Sequence, residues 1–204
     1  MSKNVEQVRE RLEKMRAACD GAVQRRDGAT FNAVHEQMLS AERELSSLEM
    51  QEYAEPIKEA AWRPEHPRPL VWYDSDTAWL ICPQPSPTRP LLCKVIKFGH
   101  VLGLRTSVVS DTLKEQPLYG KGLESCMALQ VKNSKWIGSL RATYDEDRYW
   151  LDMRHFALCF KDCLVEVVAK SVKWLDGEKS LADWVGIATQ ESVTSPSFTA
   201  NADK

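Results

Sequence analysis

The segment from His155 to Lys170 contains the side chains best suited to acid–base or nucleophilic chemistry. If the chain reverses at Lys161–Asp162, then His155, Cys159 and Glu166 face one side of a β-hairpin. Residues four apart on one strand are separated by about 13 Å, whereas a general base must come within about 3 Å of its nucleophile. His155 and Glu166 can therefore approach diagonally, but His155 cannot activate Cys159 within a flat strand.

An enzyme is accordingly the alternative, not the leading hypothesis. It requires a fold that brings His155 and Glu166 beside Cys163 or Cys159. The sequence contains no phosphate-binding glycine motif, and its six cysteines include no Cys-x-x-Cys pair. We therefore predict no catalytic residue, no cofactor and no metal site.

A third hypothesis is a nucleic-acid-binding module. The predicted strand from Lys132 to Arg141 alternates basic residues with Trp136, which suits base stacking on a sheet. The formal net charge of -2 and the sequence pI of about 6.1 give no overall attraction to phosphate backbones. Nucleic acid is therefore an unlikely partner on these grounds.

The elements that must position such groups begin with two helices. The first apolar run follows the three- and four-residue steps of a heptad seam. A Gly28 break and a predicted N-cap at Thr30 precede a second run with the same spacing. The runs are Val5, Val8, Leu12, Met15, Cys19 and Ala22, then Phe31, Val34, Met38, Ala41, Leu45 and Leu48.

Because the link between the runs is short, we predict an antiparallel helical hairpin. An isolated hairpin of this size buries little area, so its seams must be covered by the rest of the chain, a second copy or a protein partner. The residues predicted to bind the partner are Val5, Val8, Leu12, Met15, Phe31, Val34, Met38, Leu45 and Leu48, with Trp62, Trp72 and Trp79.

The remaining chain contains short β-prone runs separated by turn residues, a pattern that predicts a β domain. We predict a hairpin around Asp74–Asp76, strands at Leu91–Phe98 and Leu104–Val109 joined by a turn at Gly99–Gly103, and a strand at Trp136–Tyr144. Asp176–Gly177 is predicted as a turn before a helix at Leu181–Thr189. The fold class is therefore α+β, with a mainly antiparallel curled sheet or partial barrel and a short C-terminal helix.

The predicted division is residues 1–62 as the hairpin, 63–69 as a proline-rich linker, 70–189 as the β domain and 190–204 as a disordered tail. Seven tryptophans are either core rings or, in part, lining of a partner-binding groove. No apolar stretch is long enough for a membrane helix, and we expect a cytoplasmic protein. The leading hypothesis is a non-enzymatic interaction or adaptor protein that self-associates or binds a protein through its hairpin and a β-domain surface.

Overall fold

The computed structural model describes residues 3–64, 68–74, 76–84, 92–108, 116–143, 150 and 152–194. It begins with two helices, α1 (Lys3–Gln24) and α2 (Gly28–Leu48), which confirms the predicted hairpin. Asp27 caps α2 by accepting the Thr30 N–H at 3.0 Å, so the N-cap prediction at Thr30 is wrong. Aspartate suits this position because its carboxylate accepts a free N–H of the first turn.

The two helices differ in how closely burial follows the predicted seam. On α1, five of the six seam residues are buried, and Met15 is half-buried. On α2, burial moves to a face that includes the polar residues Glu42 and Ser46. The predicted α2 residues Phe31, Val34, Met38 and Leu45 stay half-buried, and Leu48 is exposed.

Seven strands form one antiparallel sheet that is not closed, which confirms the α+β class. The strand order is β1-β5-β6-β7-β4-β3-β2. In chain order the strands are β1 (Tyr53–Pro56), β2 (Leu70–Tyr73), β3 (Thr77–Pro83), β4 (Leu92–Val108), β5 (Ala128–Lys132), β6 (Arg154–Cys159) and β7 (Cys163–Ser180). Helix α3 (Lys135–Thr143) follows β5, and α4 (Leu181–Thr194) follows β7.

The β6–β7 hairpin has the predicted register. Phe160 donates its N–H to the Cys163 carbonyl at 2.8 Å, so Lys161–Asp162 forms the turn. One buried cluster contains the six apolar residues on the hairpin face opposite His155, Cys159 and Glu166. They are Phe156, Leu158, Phe160, Cys163, Val165 and Val167.

The predicted turns at Gly99–Gly103 and Asp176–Gly177 are wrong, because both segments lie within long strands. A Cβ at Gly99 would come within 2.8 Å of the Ser171 hydroxyl, and one at Gly103 within 2.7 Å of the Trp136 ring. These glycines therefore permit close packing. The register shift between Val101 and Gly103 bends β4 without ending it.

The predicted strand at Trp136–Tyr144 is also wrong. Residues 135–143 form α3, and Tyr144 lies outside the described residues. Ser134 caps the helix by accepting the Ile137 N–H at 3.2 Å. Trp136, Ile137 and Leu140 then lie at helical spacing and pack beside Trp150.

Helix α4 is longer than predicted and includes residues 190–194 of the expected tail; residues 195–204 lie outside the described part. The sheet also takes in β1 and Trp62 from the segment assigned to the hairpin. Among the described helices, none combines the length and the apolar content needed to cross a membrane.

Candidate functional site

A chain of polar side chains joins α3 to the sheet; we call Ser134, His155, Glu166 and Arg105 the polar cluster. The Ser134 Oγ lies 2.8 Å from His155 Nδ1, and His155 Nε2 lies 3.0 Å from Glu166 Oε1. Arg105 donates two hydrogen bonds of 2.7 Å to the Glu166 carboxylate. The predicted diagonal approach of His155 and Glu166 is therefore confirmed.

The hydrogen-bond roles within the polar cluster follow from its geometry. The Glu166 carboxylate only accepts, so His155 Nε2 donates to it; in the neutral imidazole Nδ1 then accepts the Ser134 O–H. The Ser134 oxygen accepts the Ile137 N–H in turn. Burial raises the pKa of Glu166, but hydrogen bonds from His155 and Arg105 outweigh that effect and hold this pKa below its usual value.

Serine, histidine and glutamate in this order resemble the relay that activates a nucleophile. Here His155 has no exposed surface, and Ser134 is occupied as a helix cap. The Trp136 ring packs edge-on against His155 and lies under the Arg105 guanidinium at 4.4 Å. The cavity beside Glu166 holds about 10 Å³, enough for about one water. The arrangement therefore holds α3 on the sheet.

The two cysteines proposed for the enzyme alternative are separated from this cluster. Cys159 packs with Ala157 and Leu164, and burial raises the pKa of its thiol to about 11. Cys163 packs in the hydrophobic core that contains Phe156, and burial raises the pKa of its thiol as well. A protonated thiol is a poor nucleophile, so neither residue joins His155 and Glu166 in a reactive set.

A wide opening lies on the hairpin. We call it the hairpin groove; its volume is about 830 Å³, and it runs between α1 and α2 beneath the loop at residues 119–121. Its lining on α1 extends from Arg9 to Asp20, about 17 Å along the helix axis. The apolar side chains that line it are Leu12, Cys19, Phe31, Met38 and Leu45.

The rim of the groove carries charges of both signs. Arg9 forms an ion pair with Glu49, and Arg16 donates to Glu42 at 3.4 Å. Both pairs join α1 to α2 and hold the two walls together. Glu13 and Asp20 also lie on the rim, and both side chains are exposed to solvent.

The loop wall of the groove is fixed by contacts with the sheet. Arg43 of α2 donates to the carbonyl of Ala54 at 3.0 Å and to that of Gly122 at 3.4 Å. Gly122 adopts φ +87°, and a Cβ there would lie 2.3 Å from the Ala54 oxygen. Only glycine fits this position, and the loop is thereby held against both α2 and β1.

The three tryptophans predicted as partner anchors do not line this groove. Trp62 and Trp79 are buried in the sheet core, where Trp62 packs edge-on against Trp174. Trp72 is half-buried and donates to the Ser192 hydroxyl at 3.3 Å. Trp62 and Trp79 therefore fill the core and do not form the surface of a groove, and the partner-binding role stays a prediction.

Sequence reasoning missed Ser134, Arg105 and the loop at residues 119–121. A serine before apolar residues at helical spacing is a helix-start signal, so Ser134 was detectable. Arg105 stands directly opposite Glu166 in the β4–β7 register, which depends on the bend in β4. Within the described residues, no three His, Cys, Asp or Glu side chains converge on a point that would hold a metal ion.

Comparison with known proteins yields no relative for this chain. No family model matches it, no curated protein matches it in sequence, and no solved structure matches its fold.

Proposed function

We propose that the protein is a non-enzymatic protein-binding module whose hairpin groove receives an amphipathic helix. The carrying observation is that Phe31, Met38 and Leu45, predicted to form the α2 seam, remain half-buried in an opening of about 830 Å³. An apolar seam that its own hairpin does not cover is the surface that helix-in-groove recognition requires.

The dimensions of the groove suit one short helix. A helix with its side chains is about 10–12 Å wide and rises about 5.4 Å per turn. The 17 Å lining, estimated from the helix rise, therefore accommodates about three turns. Apolar side chains on those turns would complete the burial of Phe31 and Met38, while the charged rim would contact the polar face of the incoming helix.

The walls of the hairpin groove are fixed by contacts within the chain, without a partner, and this supports a binding role. The ion pair from Arg9 to Glu49 joins the helices, and Arg43 joins α2 to the loop wall. A preorganised groove loses little conformational entropy on binding. The sheet then serves as the rigid support of the groove.

A photo-crosslinking experiment tests this proposal. The photoreactive residue p-benzoylphenylalanine replaces Phe31 in the full chain and, as a matched control, the exposed Tyr73 on β2. After irradiation in native extract, mass spectrometry identifies the crosslinked peptides. We expect position 31 to capture segments whose apolar residues recur every three or four positions.

A second substitution connects the crosslink to the groove. Met38→Glu, combined with the photoreactive residue at position 31, should abolish those adducts while the circular dichroism spectrum of the chain is unchanged. Equal capture at positions 31 and 73, or capture at 31 of segments without helical periodicity, would overturn the proposal.

A further inference from the structure

We infer that a second copy of this chain closes the hairpin groove, with the two α1 helices packed antiparallel along their charged rims. This inference rests on the proposed function and specifies its partner. The pairing axis passes between Glu13 and Arg16, at the middle of the rim.

The observation that points to a second copy is the order of charges along α1. Four charged residues line the groove at successive spacings of four, three and four, which keeps them on one stripe of the helix. Their signs alternate from Arg9 through Glu13 and Arg16 to Asp20. Reversing the direction of this stripe therefore exchanges every positive position with a negative one.

An antiparallel copy consequently meets opposite charges along the whole rim. Arg9 faces Asp20 of the second copy, and Glu13 faces Arg16. Each contact occurs twice because the two-fold axis repeats it. A parallel copy in the same register would instead place each residue beside its own counterpart, so that like charges meet. The alternation thus selects one orientation.

The ends of the hairpin agree with this arrangement. Ion pairs from Arg9 to Glu49 and from Arg16 to Glu42 show which levels of α1 and α2 are adjacent. When the same α1–α2 neighbours are continued towards the end of the hairpin, the antiparallel pairing places Val23 of one copy near Met50 of the other. Both side chains are largely exposed, at 61% and 80%, although both are apolar. Pairing would cover these two surfaces together with the groove.

The two kinds of contact contribute differently to the pairing. The half-buried part of the apolar lining, which is Phe31, Met38 and Leu45, supplies the driving force, because pairing removes it from water. Rim ion pairs at a solvated edge add little affinity but discriminate between orientations and partners. Reversal of one rim charge should therefore weaken pairing through two repulsive contacts, one on each side of the axis.

Sedimentation equilibrium of the full chain tests the inference. The wild type should be dimeric at micromolar concentration. Glu13→Arg should raise the dimer dissociation constant about tenfold or more. The matched control is Glu10→Arg, which makes the same charge change three residues away at a position outside the groove lining; it should leave the constant within about threefold of the wild type.

A mixing experiment assigns the register. Arg16→Glu alone should also weaken pairing, because it faces Glu13 of the second copy. An equimolar mixture of Glu13→Arg and Arg16→Glu should restore dimers as heterodimers with two attractive contacts. Asp20→Arg provides a test independent of the Arg16–Glu42 contact, since it faces Arg9 and should weaken pairing like Glu13→Arg.

Three results would overturn the inference: a monomeric wild type at about 100 μM, equal effects of the substitutions at positions 13 and 10, or the absence of heterodimers in the mixture. The proposed function has a separate outcome. If position 31 crosslinks to a helix of a different protein and never to this chain, helix binding stands and self-pairing fails.

Discussion

The hairpin groove and the polar cluster are two contrasting sites in this chain. In the polar cluster His155 and Glu166 are buried, and each of the four members has a hydrogen-bond partner at a short distance. The groove leaves apolar side chains half-buried in a volume about eighty times that of the cavity beside Glu166, as 830 Å³ compares with 10 Å³. Ser134, His155 and Glu166, whose side-chain types suggest catalysis, thus connect α3 to the sheet.

The difference shows that residue type alone does not identify a functional site. Buried polar groups must find partners to offset their desolvation, and a fully partnered set is a structural device. A surface that retains uncovered apolar area, by contrast, indicates binding. The predictions below test that assignment through stability, because the cluster should matter for folding and the groove should not.

The largest expected effect is that of His155→Ala. The substitution leaves Glu166 and Ser134 without their buried partner and opens a cavity, so the free energy of unfolding should fall by about 3–5 kcal/mol. Met38→Ala in the groove truncates a half-buried side chain and should cost only about 1 kcal/mol. Urea denaturation of both variants measures the difference. Similar losses at the two positions would remove the distinction between the sites.

A second test concerns the close contact between β4 and α3. Gly103→Ala places a methyl group 2.7 Å from the Trp136 ring and should destabilise the chain by about 1–3 kcal/mol. The matched control is Gly138→Ala on α3, where a Cβ meets nothing within 4 Å. That change should stabilise the helix by about 0.5–1 kcal/mol. Thermal unfolding followed by circular dichroism should give shifts of opposite sign.

A third test is Glu166→Gln, whose effect should depend on pH. Because the folded-state pKa of Glu166 is depressed, its ionised form contributes stability above the ordinary carboxyl pKa, and this contribution is lost as the pH falls through the folded value. The variant should be less stable than the wild type by about 2 kcal/mol at pH 7. The difference should shrink in acid; a gap that stays constant from pH 7 to pH 3 would contradict this account.

Much of the fold was predictable, because local pattern determined it. The seam of α1 is buried as its spacing indicates, and the β6–β7 face was found from alternation and a two-residue turn. The seam of α2 failed in part because α2 also contacts β1 through Arg43 and the loop at Gly122 through Glu42 and Arg43. Periodicity alone does not show which neighbour a helix will meet.

The remaining errors share a physical cause, which is contact between distant parts of the chain. Gly99 and Gly103 suggested a turn, yet each accommodates a side chain from another element. Trp136 suggested a strand, whereas the cap supplied by Ser134 begins a helix. In the site, the pairing of His155 with Glu166 followed from strand geometry, but the groove depends on a loop that folds back onto α2.

The anchor formed by Arg43 and Gly122 has a consequence for recognising distant homologues. The two positions are separated by 79 residues and depend on each other, because the arginine needs a carbonyl that only a left-handed glycine presents there. Selection should therefore preserve them jointly, even as surface residues of the hairpin diverge. In a diverged sequence, an arginine late in the second helix together with such a glycine would be a more discriminating signature of common ancestry than a heptad seam, which unrelated coiled coils acquire independently.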